Sequence, residues 1–407
     1  MNCRHCGAAL THTFLDLGHA PPSNAYLNAS ALSQREIYLP LKVMVCDHCW
    51  LVQTEDYTQA DVLFSPDYAY FSSTSSSWLA HAARYAAKVV HDFALDSDSM
   101  VIEVASNDGY LLKNFMAAGI PCLGIEPTAS TAQAAESLGI PVLREFFGAS
   151  LGRELAAQHR QADLIAGNNV YAHVPDINDF TIGLKAALKP NGVVTLEFPH
   201  LMRLLEFTQF DTVYHEHFSY LSLTSVNRIF TTAGLRVWHL EELPTHGGSL
   251  RIYGCHAEST RMTQSTVASM LAEETRQGIQ TLSTYHGFQR RADQVKDGLL
   301  SFLLEQKRTG KNVAAYGAAA KGNTLLNYAG VKPDLLPFVC DAATAKQGKF
   351  MPGSHIPILP PQVLTERRPD FVLILPWNIT TEVRQQNAAL AAQGTQFVTA
   401  IPHIAVL

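Results

Sequence analysis

The stretch from Val101 to Leu112 (V-I-E-V-A-S-N-D-G-Y-L-L) limits the possible folds more than any other part of the chain. Four strand-forming residues, Val101 to Val104, run into a small polar turn. Gly109 accepts a backbone conformation that other residues resist, and Leu111 and Leu112 begin a helix. This order is the strand–turn–helix unit of a doubly wound α/β sheet, where ligands sit beyond the carboxyl ends of the strands. The turn is not G-x-G-x-x-G: it has one glycine, and an acidic residue, Glu103, lies on the strand itself. A dinucleotide needs several glycines so that backbone can approach its pyrophosphate. S-adenosylmethionine has no phosphate and presents an ammonium, a sulfonium and a ribose. An acidic loop built from Glu103, Ser106, Asn107, Asp108 and Gly109 suits that set of groups.

The stretch Pro121 to Pro127 reads as a second strand ending in a carboxylate, Glu126, placed to accept hydrogen bonds from two ribose hydroxyls. Together the two elements favour a methyl-donor site over an α/β domain with no nucleotide and a solvated Glu126. Further strands are expected at 141–144, 162–169, 192–198, 235–240 and 250–256, and a helix at about 78–93. Asn168 to His173 forms a polar turn at the carboxyl edge of the sheet. Five parallel strands and a closing pair make the seven-stranded sheet of a methyltransferase, over about residues 78–260.

Before this core, Cys3-Arg4-His5-Cys6 and Cys46-Asp47-His48-Cys49 are two C-x-x-C knuckles. Each offers two thiolates at a spacing one tetrahedral ion accepts, so Cys3, Cys6, Cys46 and Cys49 form a candidate structural zinc site with no open position. A redox pair would need a thioredoxin-like unit, which the surroundings lack. His5 and His48 read as bystanders. The segment 64–75, dense in aromatic and hydroxyl residues, reads as a lid over the donor pocket in preference to a plain linker. At 407 residues two or three domains are expected, and a net charge of −6 argues against a nucleic-acid or membrane-surface binder. The first residues hold no apolar signal region and no run is long enough to span a bilayer, so a cytoplasmic location is expected, with no nucleic-acid or membrane partner and a monomeric state.

A polar helical stretch over about 263–309 separates the core from a second α/β unit. There, Asn312 to Asn323 is again strand, small-residue turn and helix start, with Lys321 at the helix start suited to a phosphate. This unit binds its own nucleotide, anchors the substrate of the first half, or is a structural repeat. Between the fifth and sixth core strands lies Tyr214-His215-Glu216-His217, which could be metal ligands, a core cluster or an acid–base set. No third and fourth metal ligands stand at matching spacing. Four polar groups in a row beside a methyl-donor fold favour acid–base chemistry, with an imidazole as base and Tyr214 as donor to an oxyanion.

The paired knuckles, E-x-x-S-N-D-G, G-I-E-P, N-N-V-Y-A-H-V-P-D, Y-H-E-H-F-S-Y, H-G-G-S-x-R and Y-G-A-x-x-K together resemble the sugar C-methyltransferase family, of which the dTDP-sugar C-3′-methyltransferases of deoxysugar pathways are the best-known type. The resemblance spans essentially the whole chain. It implies a class I S-adenosylmethionine-dependent methyltransferase with a Rossmann-like α/β core (78–260), an N-terminal zinc-binding lobe and lid (1–77), a helical connection (261–309) and a C-terminal Rossmann-like substrate-binding domain (310–407). The implied substrate is a nucleotide-linked 4-keto-6-deoxysugar. His217 is the implied base, assisted by Tyr214 and Glu216, with His173 and Tyr68 approaching the ketosugar. Donor contacts fall on Glu103, Ser106, Asn107, Asp108, Gly109, Glu126 and Asn168, and substrate contacts on Tyr70, His246, Arg251, Lys321 and Asn323. The implied chemistry is loss of the C-3 proton, then methylation of the enolate carbon. Competing readings are an O- or N-methyltransferase, a non-catalytic nucleotide-sugar binding protein, and a nicotinamide-dependent oxidoreductase, the last weakened by the missing G-x-G-x-x-G.

Overall fold

The computed structural model describes residues 1–55 and 71–407. Most of the expected lid, including Tyr68 and Tyr70, lies outside the described residues. The chain opens with an antiparallel meander, β1 (His12–Ala20), β2 (Leu39–Val45) and β3 (Val52–Thr54). Leu41, Val43 and Val45 alternate along β2 and are buried, the period of a strand with one face on a core.

Helix α1 (Ser76–Asp92) follows, capped by the Ser75 hydroxyl, which accepts from the Trp78 amide. Its buried residues Ala82, Tyr85, Ala86 and Val89 recur at helical spacing and face the core. Next come β4 (Val101–Val104), helix α2 (Leu112–Ala117), β5 (Cys122–Ile125), β6 (Val142–Leu143), β7 (Ala162–Asn168) and β8 (Leu188–Pro199). A short strand β9 (Ser219–Tyr220), helix α3 (Leu223–Ala233), β10 (Leu235–Leu243) and β11 (Ser249–His256) complete the unit. The sheet order is β10-β11-β8-β7-β4-β5-β6. Strands β4 to β8 run parallel; β11 runs against β8, and β10 runs against β11. The expected closing pair is therefore one more parallel strand and a single reversed one. All four residues of β4 are buried, as in a parallel sheet covered on both faces. Strand β9 does not join this sheet. It pairs with β3, Val52 opposite Tyr220 and Gln53 opposite Ser219, and so completes the N-terminal sheet β1-β2-β3-β9.

The expected single helical stretch is three helices: α4 (Ser265–Arg276), a short turn at Leu282–His286, and α5 (Phe288–Arg308). Beyond them, β12 (Val313–Tyr316), helix α6 (Ala320–Tyr328), β13 (Val339–Cys340), β14 (Ile358–Leu359), β15 (Phe371–Ile374), β16 (Gln396–Thr399) and β17 (Ala405–Val406) form a six-stranded sheet, ordered β14-β13-β12-β15-β16-β17. Only β17 is antiparallel to its neighbour.

Helix α4 is tied to the core by a fully buried carboxylate. Glu274 Oε1 accepts from the Leu223 amide at 2.6 Å and lies 2.7 Å from His200 Nε2, while Oε2 accepts from the Thr224 amide and hydroxyl at 2.8 and 2.6 Å. The carboxylate sits on the N-terminus of α3, where a negative charge is favoured. Burial alone would raise the Glu274 pKa, but His200 and the Thr224 donors outweigh it and hold the value below the ordinary one. Glu274→Ala would strand these donors; urea unfolding should show a loss of about 3–5 kcal/mol.

Candidate active site

The donor loop keeps the backbone of a glycine-rich turn with a single glycine. Ala105 (φ 56°), Asn107 (φ 49°) and Gly109 (φ 78°) are all left-handed. At Gly109 a Cβ would lie 2.4 Å from Ile140 Cδ1, so the glycine is required there, whereas Ala105 and Asn107 bear the strain. Glu126 braces the loop: Oε2 accepts from the Asn107 amide at 3.0 Å and Oε1 from the Thr128 amide at 2.8 Å. Asn107 Oδ1 and Asp108 Oδ2 hold the Ser72 and Ser73 amides, each at 2.9 Å. Asp108, Ser106 and Gly109 thus shape the loop from behind, while Ala105, Asn107, Glu126 and Asn168 line the cavity in front of it.

Around this loop stand buried polar atoms with no hydrogen-bond partner: Ser106 Oγ, Asp108 Oδ1 and Asn168 Oδ1. Burial pushes the Glu103 carboxyl well above its ordinary pKa, with the Tyr110 hydroxyl offsetting part of the effect. Buried acceptors without donors are expensive. On the cavity side Glu126 and Asn168 bring acceptor oxygens to the lining, the groups that an ammonium and ribose hydroxyls require, so these residues fit S-adenosylmethionine.

The cavity encloses about 1380 Å³, more than the roughly 300–1000 Å³ of a single small-ligand pocket. Opposite the donor loop it is walled by Tyr214, His217, His173 and His246 from the core and by Ala319, Ala320 and Lys321 from the C-terminal sheet. His217 Nδ1 lies 2.8 Å from the Thr212 carbonyl oxygen. A carbonyl cannot donate, so Nδ1 carries the proton and Nε2 the lone pair. The His217 ring centroid is 4.0 Å from that of Tyr214 and 4.6 Å from that of His173. Burial, with the charges of His173, His246 and Lys321, holds the His217 pKa well below the ordinary imidazole value. His173 and His246 are lowered to about 4, again chiefly by burial.

The C-terminal turn enters through Lys321. Its Nζ donates to Asn378 Oδ1 at 2.7 Å and lies 4.6 Å from the Trp377 ring centroid, whose Nε1 donates to Asp211 Oδ2 at 2.7 Å. Burial raises the Asp211 pKa to about 6 and lowers that of Lys321. The Ala318 amide of the turn donates to Asp341 Oδ2 at 2.7 Å, which removes one donor from any phosphate.

Three expected positions lie elsewhere. Asn323 is fully buried behind the cavity wall, its amide donating to the Ser23 carbonyl at 2.6 Å, which corrects its assignment as a substrate contact. Glu216 is also off the wall and acts on it through Asn24, whose amide donates to Glu216 Oε2 at 2.6 Å. Arg251 reaches the cavity, but its guanidinium is committed to Glu197, with Nη2 2.5 Å from Oε2 and His81 Nε2 2.9 Å from the same oxygen. Burial would raise the Glu197 pKa; the His81 hydrogen bond and the Arg251 charge outweigh it and hold it at about 2. Asn24, Glu197, His81, Asp211 and Trp377 were not singled out from the sequence; these contacts span from 54 to 192 residues of chain, a separation that no local pattern encodes.

The four knuckle sulfurs lie within 4.8 Å of one another, with Cys3–Cys49 at 3.4 Å and Cys6–Cys46 at 3.6 Å. Bonds of about 2.3 Å to one tetrahedral zinc ion place sulfurs roughly 3.8 Å apart, so the set fits zinc after a slight expansion. His5 is turned away, with Nδ1 2.8 Å from Asn178 Oδ1.

A seven-stranded sheet with this loop, a second Rossmann-like sheet and a four-thiolate lobe define a zinc-bearing, S-adenosylmethionine-dependent methyltransferase. Family models match a zinc binding domain at residues 3–64, a methyltransferase domain at 78–240 and a C-methyltransferase C-terminal domain at 244–402. Over 405 residues the chain is 35% identical to the C-methyltransferase NovU of Streptomyces niveus, covering 100% of this chain and 96% of that protein. The chain belongs to the sugar C-methyltransferase family and is an enzyme. Among solved structures, the PH0226 protein of Pyrococcus horikoshii OT3 is similar over 46% of this chain and 95% of its own (12% identity, TM-score 0.38). Magnesium protoporphyrin IX methyltransferase of Synechocystis PCC 6803 is similar over 44% of this chain and 79% of its own (13% identity, TM-score 0.34). No described helix is long and apolar enough to cross a membrane.

Two outcomes follow from this geometry. Cys46→Ser should lose the single zinc ion, read by metal analysis of the purified chain. Imidazoles that are neutral when folded and take up protons at about 6.5 when unfolded make stability full above that pH. It should then fall as the pH drops towards 4, the folded value of His173 and His246. A urea-unfolding series across this range would measure the slope.

Proposed function

We propose that the enzyme methylates C-3 of a nucleotide-linked 4-keto-6-deoxysugar, most simply a dTDP-sugar, in deoxysugar biosynthesis, with His217 as the base. The observation that carries this reading is the Thr212 carbonyl on His217 Nδ1, which leaves the Nε2 lone pair on a neutral ring lining the donor cavity. Carbon becomes nucleophilic only after losing a proton, and the proton beside a ketone is the removable one. His217 Nε2 takes the C-3 proton and the electron pair moves to the C-4 oxygen. Tyr214 and His173 flank the base, and Glu216 orients the wall through Asn24. Lys321, on the wall of the same cavity as His217, would hold an oxygen of the substrate. Asn107, Glu126 and Asn168, with Glu103 behind them, would hold S-adenosylmethionine, whose sulfonium methyl would pass to the enolate carbon as its S–CH3 bond breaks, leaving S-adenosylhomocysteine. Arg251 and His246 contribute as wall residues, Arg251 through its pair with Glu197. We keep the division into lobe and lid to 77, core to 260, connection to 309 and substrate domain beyond.

The test is exchange of the C-3 hydrogen of dTDP-4-keto-6-deoxyglucose in heavy water, with and without S-adenosylmethionine, following product mass. His217→Asn should lose exchange and turnover by 10²-fold or more while binding S-adenosylmethionine normally. Methyl transfer that leaves the C-3 hydrogen in the product would instead establish O- or N-methylation.

A further inference from the structure

A closed four-thiolate zinc site has no chemistry of its own, and the knuckles lie far in sequence from the acid–base stretch. In space they are neighbours. Gln53, fully buried on β3, accepts from the Arg4 amide through Oε1 at 2.9 Å and donates from Nε2 to Cys3 Sγ at 3.2 Å. The next residue, Thr54, donates its amide to the Phe218 carbonyl and its hydroxyl to the His217 carbonyl, both at 3.2 Å. Arg4, inside the first knuckle, donates to the Thr54 carbonyl at 2.9 Å and the Pro175 carbonyl at 2.7 Å, and its guanidinium lies 5.4 Å from the Phe218 ring centroid. Phe218 in turn donates its amide to the Ala172 carbonyl at 2.8 Å, beside His173.

We infer that the zinc lobe is a positioning device for the catalytic loop, in which Arg4, Gln53 and Thr54 carry the rigidity of the first knuckle to the backbone of His217 and to the turn bearing His173. The inference rests on reading His217 as the base. A lobe that served only its own stability would turn these groups inward; here Arg4 and Thr54 end on the two loops that present imidazoles to the cavity, and Gln53 fastens their strand to the knuckle at Cys3. The Gln53 amide on Cys3 is the kind of hydrogen bond that fixes a metal ligand from outside. Displacement of a base by about 1 Å is enough to cost roughly 10²-fold in rate.

The test uses full-length, zinc-loaded Thr54→Val and Arg4→Leu. Thr54→Val should keep one zinc per chain and its S-adenosylmethionine affinity, with C-3 exchange into dTDP-4-keto-6-deoxyglucose lowered tenfold or more and KM little changed. Arg4→Leu should also lose amide-hydrogen protection over residues 172–175 and 214–220, with protection of Val101 to Val104 retained. Wild-type exchange in both variants, while His217→Asn has lost it, overturns the inference. If His217→Asn still exchanges, the base assignment fails instead, and amide protection decides alone: loss confined to those two loops upholds the positioning role, and unchanged protection overturns it.

Discussion

The two residues of β9, within the methyltransferase part of the chain, pair with β3 of the zinc lobe. Much of the active site depends on this pairing. The loop from Phe210 to Phe218 has little regular structure, and a loop of that kind holds side chains only as well as its ends are fixed. One end is fixed by Asp211, which receives the Trp377 indole from the C-terminal sheet. The other is fixed by β9, with Thr54 on the backbone of His217 and Phe218. The middle part of the chain supplies the imidazole; the first and last parts hold it still.

The electrostatics of the cavity follow from its dryness. Three imidazoles, His173, His217 and His246, are kept uncharged by burial, and the positive charge of Lys321 adds to the effect on His217 and His246. A neutral imidazole is the form that can accept a proton. On the donor side the signs reverse. Glu126 and Asn168, both with acceptor oxygens, line the cavity there. The cavity thus has one wall bearing acceptor oxygens and another of neutral imidazoles.

How much of this was legible in the sequence depended on the distance between partners. Four thiolates at C-x-x-C spacing are readable because the ligands of each knuckle are local and zinc chemistry allows few alternatives. The donor loop was readable from Glu103, Gly109 and Glu126, within two dozen residues. Its backbone was not: Ala105 and Asn107 hold left-handed conformations that a glycine would ordinarily mark. The errors lie at long range. Asn323 follows Lys321 by two positions, yet on a helix that spacing turns it away from the cavity and onto Ser23. Arg251 does line the cavity, but the sequence does not show that Glu197, 54 residues earlier, pairs with it there.

The joining of β3 to β9 also bears on the order in which the enzyme is made. Both knuckles lie within the first 49 residues, so a ribosome exposes all four thiols long before residue 219 emerges. Domains fold from the N-terminus as synthesis proceeds, and a metal-closed lobe can be complete while the core is still being translated. The open edge of β3 then waits as a template, and β9 docks on a surface already set by zinc. A lobe still without its metal at that moment would offer β9 a less ordered edge.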